Sequence, residues 1–261
     1  PAAIGWMWAS VITSSISILM KCDSTIMQQI PLSLHLAPSF KPDEFIAGGA
    51  NHSALQWLAA WPDWPLPYRA LNIFGPSGCG KTHLSYVFEQ RSGAHRLTQL
   101  QDISEIASLT ARHFILDDFT LAERFSQEAM FHFFNHLAAT GGTALLLSRQ
   151  SVAQMDIGLA DLRSRLRSIA CQEIASPEDD LLEQVLVKMF AERQCSVPDG
   201  VIHYMVTHME RNFTTAYRLV AEIDRAALSS KKPVSVAIVK LVMMPDNGAL
   251  EFDFKHENKE I

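Results

Sequence analysis

The sequence predicts an α/β protein: a doubly wound parallel sheet with helices on both faces, followed by a small C-terminal helical domain. Three observations carry this. Short apolar runs suited to buried strands alternate with helical periods through the first two thirds of the chain. One run, Leu71-Asn72-Ile73-Phe74, leads straight into a glycine-rich loop and then a helix-forming stretch. From Ser176 to about Met244 only helical periods remain. A chain of 261 residues is long enough for one sizeable core and a smaller second domain.

The elements come in this order. Residues 1–20 carry no charge and are long enough to span a membrane, but Ser10, Thr13, Ser14, Ser15 and Ser17 dilute them and no basic region precedes them. Residues 1–26 therefore read as upstream sequence outside the working protein, with a membrane anchor as the alternative. An extended segment covers 27–44. Asn51 is a good N-cap for a helix through Trp57 and Ala60, which the Pro62–Pro67 cluster breaks. Tyr68–Phe74 is the first core strand, Ala94–Leu97 the second, and His113–Asp118, an apolar run ending in two acids, the third. A helix with Phe125, Met130, Phe133, Phe134 and Leu137 at helical spacing comes next, ended by Gly141-Gly142. Thr143–Leu147 closes at Ser148 as a further strand, and Cys171–Ile174 fits the last. At Ser176-Pro177-Glu178-Asp179 a cap, a proline at the first helical position and an acid announce the helical domain. Its helices are expected over roughly 178–193, 198–209, 213–229 and 235–244. The domains expected are thus 45–175 and 176–245, with 246–261 a polar tail.

Composition sets limits. A net charge of −6 argues against a surface that coats duplex DNA, since sequence-independent affinity needs clustered Lys and Arg. Cys22, Cys79, Cys171 and Cys195 are scattered with no C-x-x-C pair, as expected of free thiols in a reducing cytoplasm. His132 and His136 are spaced i, i+4, but Phe133 stands where a zinc protease needs Glu, so the rim of a core helix is the plainer reading. Lys231-Lys232 beside Pro233 reads as a solvated turn.

The chemistry starts at Gly75-Pro76-Ser77-Gly78-Cys79-Gly80-Lys81-Thr82, a complete G-x-x-x-x-G-K-[ST] loop between a strand and a helix. Its glycines let backbone N–H groups close on a β-phosphate at the positive end of the following helix. Lys81 would neutralise the β/γ-phosphates and the Thr82 hydroxyl would ligate Mg²⁺, so the site takes ADP or ATP. Asp117-Asp118 ends the third strand about 35 residues after Lys81. Alone, such a pair is only the start of a turn. Behind a phosphate loop, Asp117 holds Mg²⁺ through water and Asp118 orients the attacking water. Ser148 ends the next strand, where a hydroxyl can reach the γ-phosphate, though strand-ending serines are common for turn reasons. In Asp161-Leu162-Arg163-Ser164-Arg165-Leu166-Arg167 the arginines are either a solvated helix face or hold one that reaches a neighbouring subunit's nucleotide. Arg211, before the third helix of the small domain, either reaches back to the phosphates or is a surface charge.

Together these residues resemble the AAA+ family of the replication initiator DnaA, and within it the Hda family of DnaA regulatory inactivators. The resemblance runs from about Gln28 to Met244. Phe45-Ile46-Ala47-Gly48, with Asn51, is similar to the F-x-x-G-x-x-N stretch that contacts adenine. Asp117-Asp118 matches, including Asp where other AAA+ proteins carry Glu. Gly158-Leu159-Ala160-Asp161-Leu162-Arg163-Ser164-Arg165-Leu166 resembles G-L-x-D-L-x-S-R-L, which implies Arg165 as the arginine finger. Arg211 falls at the sensor-two arginine. Gln29-Ile30-Pro31-Leu32-Ser33-Leu34 fits Q-x-x-L-x-L, implying that Gln29, Leu32 and Leu34 dock on the DNA polymerase sliding clamp. One departure is Ser148-Arg149-Gln150, where the family has Thr or Ser, a small or acidic residue, then Arg.

The resemblance implies negative control of replication initiation. A nucleotide-bound protein on the DNA-loaded clamp would drive ATP held by DnaA to ADP, as an activator more than an independent enzyme. The short acidic stretch after Met244 implies no direct sequence-specific DNA binding, and a homo-oligomer is among the assemblies allowed. Two rivals remain: an AAA+ ATPase acting on DNA, such as a helicase loader or transposition helper, and a P-loop kinase for a small metabolite.

Overall fold

The computed structural model describes residues 45–121 and 123–244. Five strands form one sheet: β1 (Ala70–Phe74), β2 (His95–Leu97), β3 (His113–Leu116), β4 (Thr143–Ser148) and β5 (Ala170–Glu173). Their spatial order is β2-β3-β4-β1-β5 and every pairing is parallel. All five therefore end at the same edge of the sheet, where open α/β sheets bind ligands.

The central strands β1, β3 and β4 are largely apolar because both faces are covered, while the edge strands β2 and β5 carry polar and partly exposed residues. On one face Phe114, Leu116, Ala144 and Leu146 pack against α3 (Gln127–Thr140) and α4 (Ala160–Arg167), through Phe133, Phe134, Leu162 and Leu166. On the other, Leu71, Ile73, Ile115, Leu145 and Leu147 pack against α1 (His52–Ala59) and α2 (Lys81–Ser92), through Ala54, Leu58, Leu84 and Phe88. The period of two along each strand sorts the residues between these faces.

After β5 the chain builds only helices: α5 (Asp179–Glu192), α6 (Asp199–His208), α7 (Phe213–Ser230) and α8 (Val236–Met243). They enclose a separate core of Leu182, Leu186, Phe190, Met205, Val220 and Ile223, all fully buried or nearly so. Asn212 caps α7, its Oδ1 accepting from the Thr215 N–H at 2.7 Å.

Two caps differ from expectation. Asn51 makes no side-chain cap on α1. Its Oδ1 accepts from the Gly48 N–H at 2.9 Å and its Nδ2 donates to the Ile46 carbonyl at 3.1 Å, so it ties down the loop before the helix. Ser176 and Pro177 precede α5 without entering it, and Glu178 takes the cap position in extended conformation. Between β2 and β3 lies a 3-10 turn, Ile103–Ser108, closed by a reciprocal Asp102–Glu105 capping box.

Candidate functional site

The loop from Gly75 to Gly80 leaves β1 and enters α2. Gly75 is buried where the loop turns off the sheet, and its N–H donates to the Ser148 carbonyl at 3.3 Å. A Cβ there would lie 2.1 Å from the Ile174 carbonyl oxygen, so only glycine fits. Gly78 has φ +75°, and its carbonyl accepts from the Phe213 N–H of α7 at 2.8 Å. The first residue of α7 thus closes directly on the phosphate loop. Lys81 Nζ donates to the Gly75 and Pro76 carbonyls, both at 2.8 Å. Cys79 is buried against the sheet's apolar layer beside Gly75, which makes it a packing residue.

Asp117 and Asp118 lie just past the end of β3, at the same edge. Asp118 has φ +51° and donates its N–H to Asp117 Oδ1 at 2.9 Å. Arg96 of β2 lies 3.6 Å from Asp117 and holds Glu89 at 2.7 Å and the Ser85 hydroxyl at 2.9 Å, tying Asp117 to α2. Arg124 lies 3.8 Å from the more exposed Asp118. The Thr82 hydroxyl and the Asp117 carboxylate both line the cleft and are hard oxygen donors. They fit Mg²⁺, which binds through one or two such groups with phosphate and water. Among the described residues no cluster of three or more His, Cys, Asp or Glu could hold a metal alone.

These parts bound one cleft of about 730 Å³, in the range of small-ligand sites. Lys81, Thr82, Asp117 and Asp118 form its floor with Ser77–Gly80, and Phe45, Ile46 and Asn51 line one end. Of the loop, Gly75 and Pro76 stand behind this wall as carbonyl partners of Lys81. The opposite wall comes from the helical half: Val185, Lys188, Met189 and Glu192 of α5, and Phe213, Thr214, Tyr217 and Arg218 of α7. Sequence reasoning missed that wall. Its signal was the i, i+4 stripe Phe213–Tyr217 and Thr214–Arg218, which looks the same whether it faces a core or a ligand.

Three expected residues are placed differently from the rest. Ser148 borders the cleft but is only 1 % exposed, and its hydroxyl donates to the Gln150 carbonyl at 2.6 Å while accepting from Asn72 Nδ2 at 2.9 Å. Its proton is spent on the turn, so as placed it offers no donor to the cleft. Arg211 does not line the cleft. It grips Asp179 of α5 through two hydrogen bonds of 2.7 and 2.9 Å, which hold the Asp179 carboxyl below the ordinary carboxylate range. Arg165 also stands outside, its guanidinium 4.0 Å from the Phe131 ring centroid and hydrogen-bonded to Asn135. Arg163 and Arg167 on the same helix are exposed. Gln29, Leu32 and Leu34 lie outside the described residues. No described helix is long and apolar enough to cross a membrane.

Comparison with known proteins agrees with this geometry. Residues 179–243 match the family described as "Hda, lid domain". An uncharacterised protein of Haemophilus influenzae is 24 % identical over 83 % of this chain and 98 % of its own length. The chromosomal replication initiator protein DnaA of Clavibacter sepedonicus is 27 % identical over 80 % of this chain, which spans only 49 % of that protein. Among solved structures, domain III of the Thermotoga maritima replication initiation protein DnaA superposes with TM-score 0.65 at 18 % identity, covering 80 % of this chain and 97 % of that one. A replication initiator DnaA bound to AMPPCP and single-stranded DNA does so with TM-score 0.57 at 20 % identity, covering 76 % and 69 %. A five-stranded parallel sheet, a phosphate loop closed by helices and a matching lid agree: the fold is that of the AAA+ domain of DnaA, and residues 179–243 match the Hda lid domain.

Proposed function

We propose that this protein binds ADP or ATP with Mg²⁺ in the cleft and regulates DnaA. Docked on the DNA-loaded sliding clamp through Gln29, Leu32 and Leu34, it presents Arg165 to ATP held by DnaA and drives that ATP to ADP, restraining initiation. The observation that carries the reading is a division of labour. The chain's own cleft has its phosphate loop, Lys81 and Asp117 together, while Arg165 lies outside it on α4. An arginine so disposed serves a nucleotide held elsewhere by exchanging its contacts with Asn135 and Phe131 for that nucleotide.

Within the cleft the loop N–H groups and Lys81 hold the β-phosphate, and Phe45 and Ile46 flank the base. Thr82 and Asp117 would hold Mg²⁺, which when bound supplies charge neutralisation at the phosphate oxygens. Asp118 orients water. The DnaA neighbour bound to AMPPCP, an ATP analogue, supports nucleotide binding by this fold.

The test is Arg165→Ala, assayed for DnaA-dependent ATP hydrolysis on clamp-loaded DNA. An arginine finger supplied in trans is worth about 10³–10⁵ in rate, so stimulation should vanish while the variant's own ADP affinity stays within about threefold. An undiminished stimulated rate removes Arg165 from the mechanism and turns attention to Arg163 and Arg167. In the same assay, Leu32→Ala with Leu34→Ala should abolish stimulation by loss of clamp binding alone.

A further inference from the structure

The two oxygen donors that fit Mg²⁺ come from different elements: Thr82 from the first turn of α2, Asp117 from just past the end of β3. One side chain joins them. Arg96 stands opposite Ile115 in the register of β2 on β3, and Ile115 belongs to the layer under α2, so the arginine shares that face. Its Nη1 lies 3.6 Å from Asp117 Oδ2. Its Nη2 donates to the Ser85 hydroxyl at 2.9 Å, and that hydroxyl donates to the Thr82 carbonyl at 2.7 Å. A single guanidinium thus bridges the acid and the backbone of the hydroxyl residue.

The guanidinium is itself held on two further sides. Its Nε donates to Glu89 Oε2 at 2.7 Å, and it lies 4.1 Å from the centroid of the Tyr86 ring. Ser85 is fully buried. Glu89 also decides between two opposite effects. A bare cation beside a metal ligand would repel Mg²⁺. A guanidinium paired with a carboxylate at 2.7 Å and 25 % exposed is largely neutralised and screened, so its hold on the ligands is what remains.

We propose that Arg96 is a positioning residue for the Mg²⁺ of a bound nucleotide: it fixes Thr82 and Asp117 relative to one another and so sets how much the metal adds to nucleotide affinity. The inference rests on the nucleotide and metal reading of the cleft. Mg²⁺ demands near-ideal octahedral geometry, so a small misplacement of its donors is costly. Outer partners of metal ligands are worth about 10- to 100-fold in metal affinity. Arg96 is not among the residues that line the cleft, so it acts through Thr82 and Asp117 and not on the nucleotide.

The experiment is calorimetric titration of the full chain by ATPγS, in EDTA and with saturating Mg²⁺. The ratio of the two affinities is the contribution of the metal. Arg96→Ala should lower that ratio by about 10- to 100-fold and leave the affinity in EDTA within about twofold of wild type. Arg96→Lys should behave like the alanine variant, because a point charge cannot serve Asp117, Glu89 and Ser85 at once. Ser85→Ala keeps the arginine and cuts only its link to Thr82, so it should lower the ratio by a smaller factor. It carries the test if the Arg96 variants do not fold. An unchanged ratio, or equal losses with and without Mg²⁺, would overturn the proposal. Asp117→Asn separates this failure from failure of the metal reading: a lost Mg²⁺ advantage there, beside an unchanged ratio in Arg96→Ala, removes Arg96 alone. A wild-type chain that binds no nucleotide, or gains nothing from Mg²⁺, overturns both.

Discussion

Arg211 teaches the most at the scale of single residues. Its position just ahead of α7 suggests a reach toward the phosphates. The Asn212 cap instead turns Phe213 and Thr214 onto the loop and leaves Arg211 facing Asp179. An arginine already paired outside the cleft adds nothing to ligand affinity. We expect Arg211→Ala to bind ADP within about twofold of wild type, because an exposed ion pair is easily replaced by water. Lys81→Ala should lose measurable binding, its charge being the one the phosphates meet at the loop. Fluorescence titration of both variants decides between a cleft with Arg211 outside it and one in which Arg211 swings inward. The pair also has a pH sense. Asp179 has its pKa lowered in the folded chain, so the pairing holds above the ordinary carboxylate range and fails only as pH falls through the lowered value.

At the scale of elements, the end of β4 depends on a buried asparagine. Asn72 of β1 is fully buried, and its Nδ2 donates to the Leu146 carbonyl at 3.1 Å and to the Ser148 hydroxyl at 2.9 Å. Its Oδ1 accepts from the Val152 N–H at 3.0 Å. One side chain thus clamps the strand to the turn that carries Arg149. Asn72→Ala would strand a buried amide and a carbonyl, each costing roughly 1–3 kcal/mol, for a total loss of about 2–6 kcal/mol read by urea denaturation. Asn72 was visible in the sequence only as a polar interruption in a strand, and nothing local says what it binds. The central strands β1, β3 and β4 were legible because burial on both faces leaves a largely apolar run. The four C-terminal helices were legible because one face repeats every three to four residues. The 3-10 turn after Asp102 went unread, although Asp102-Ile103-Ser104-Glu105 carries the capping-box spacing. Other contacts between elements distant in the chain stayed out of reach: the α5 and α7 wall, the grip of Arg96 on Asp117, and the engagement of the Ser148 hydroxyl.

For the whole molecule, the two apolar layers of the sheet and the core of the four helices are distinct, and the cleft is where the two halves meet. The hydrogen bond from the Phe213 N–H to the Gly78 carbonyl crosses that junction. The Gly78 peptide unit serves two masters: its oxygen answers to the lid, while the loop's N–H groups answer to phosphate. If seating a phosphate reorients those peptide planes, ligand occupancy and lid closure share one equilibrium. Such linkage is reciprocal. By whatever factor a nucleotide tightens the lid, a partner that holds the lid shut must tighten the nucleotide. The amide proton of Phe213 is the natural reporter, and its exchange with deuterium should change on adding ADP while Ile223, deep in the same helix, keeps its rate. A Phe213 amide indifferent to ADP would mean that the lid and the loop merely touch. A responsive one makes this bond a reporter, at the seam between lid and loop, of whether nucleotide is bound.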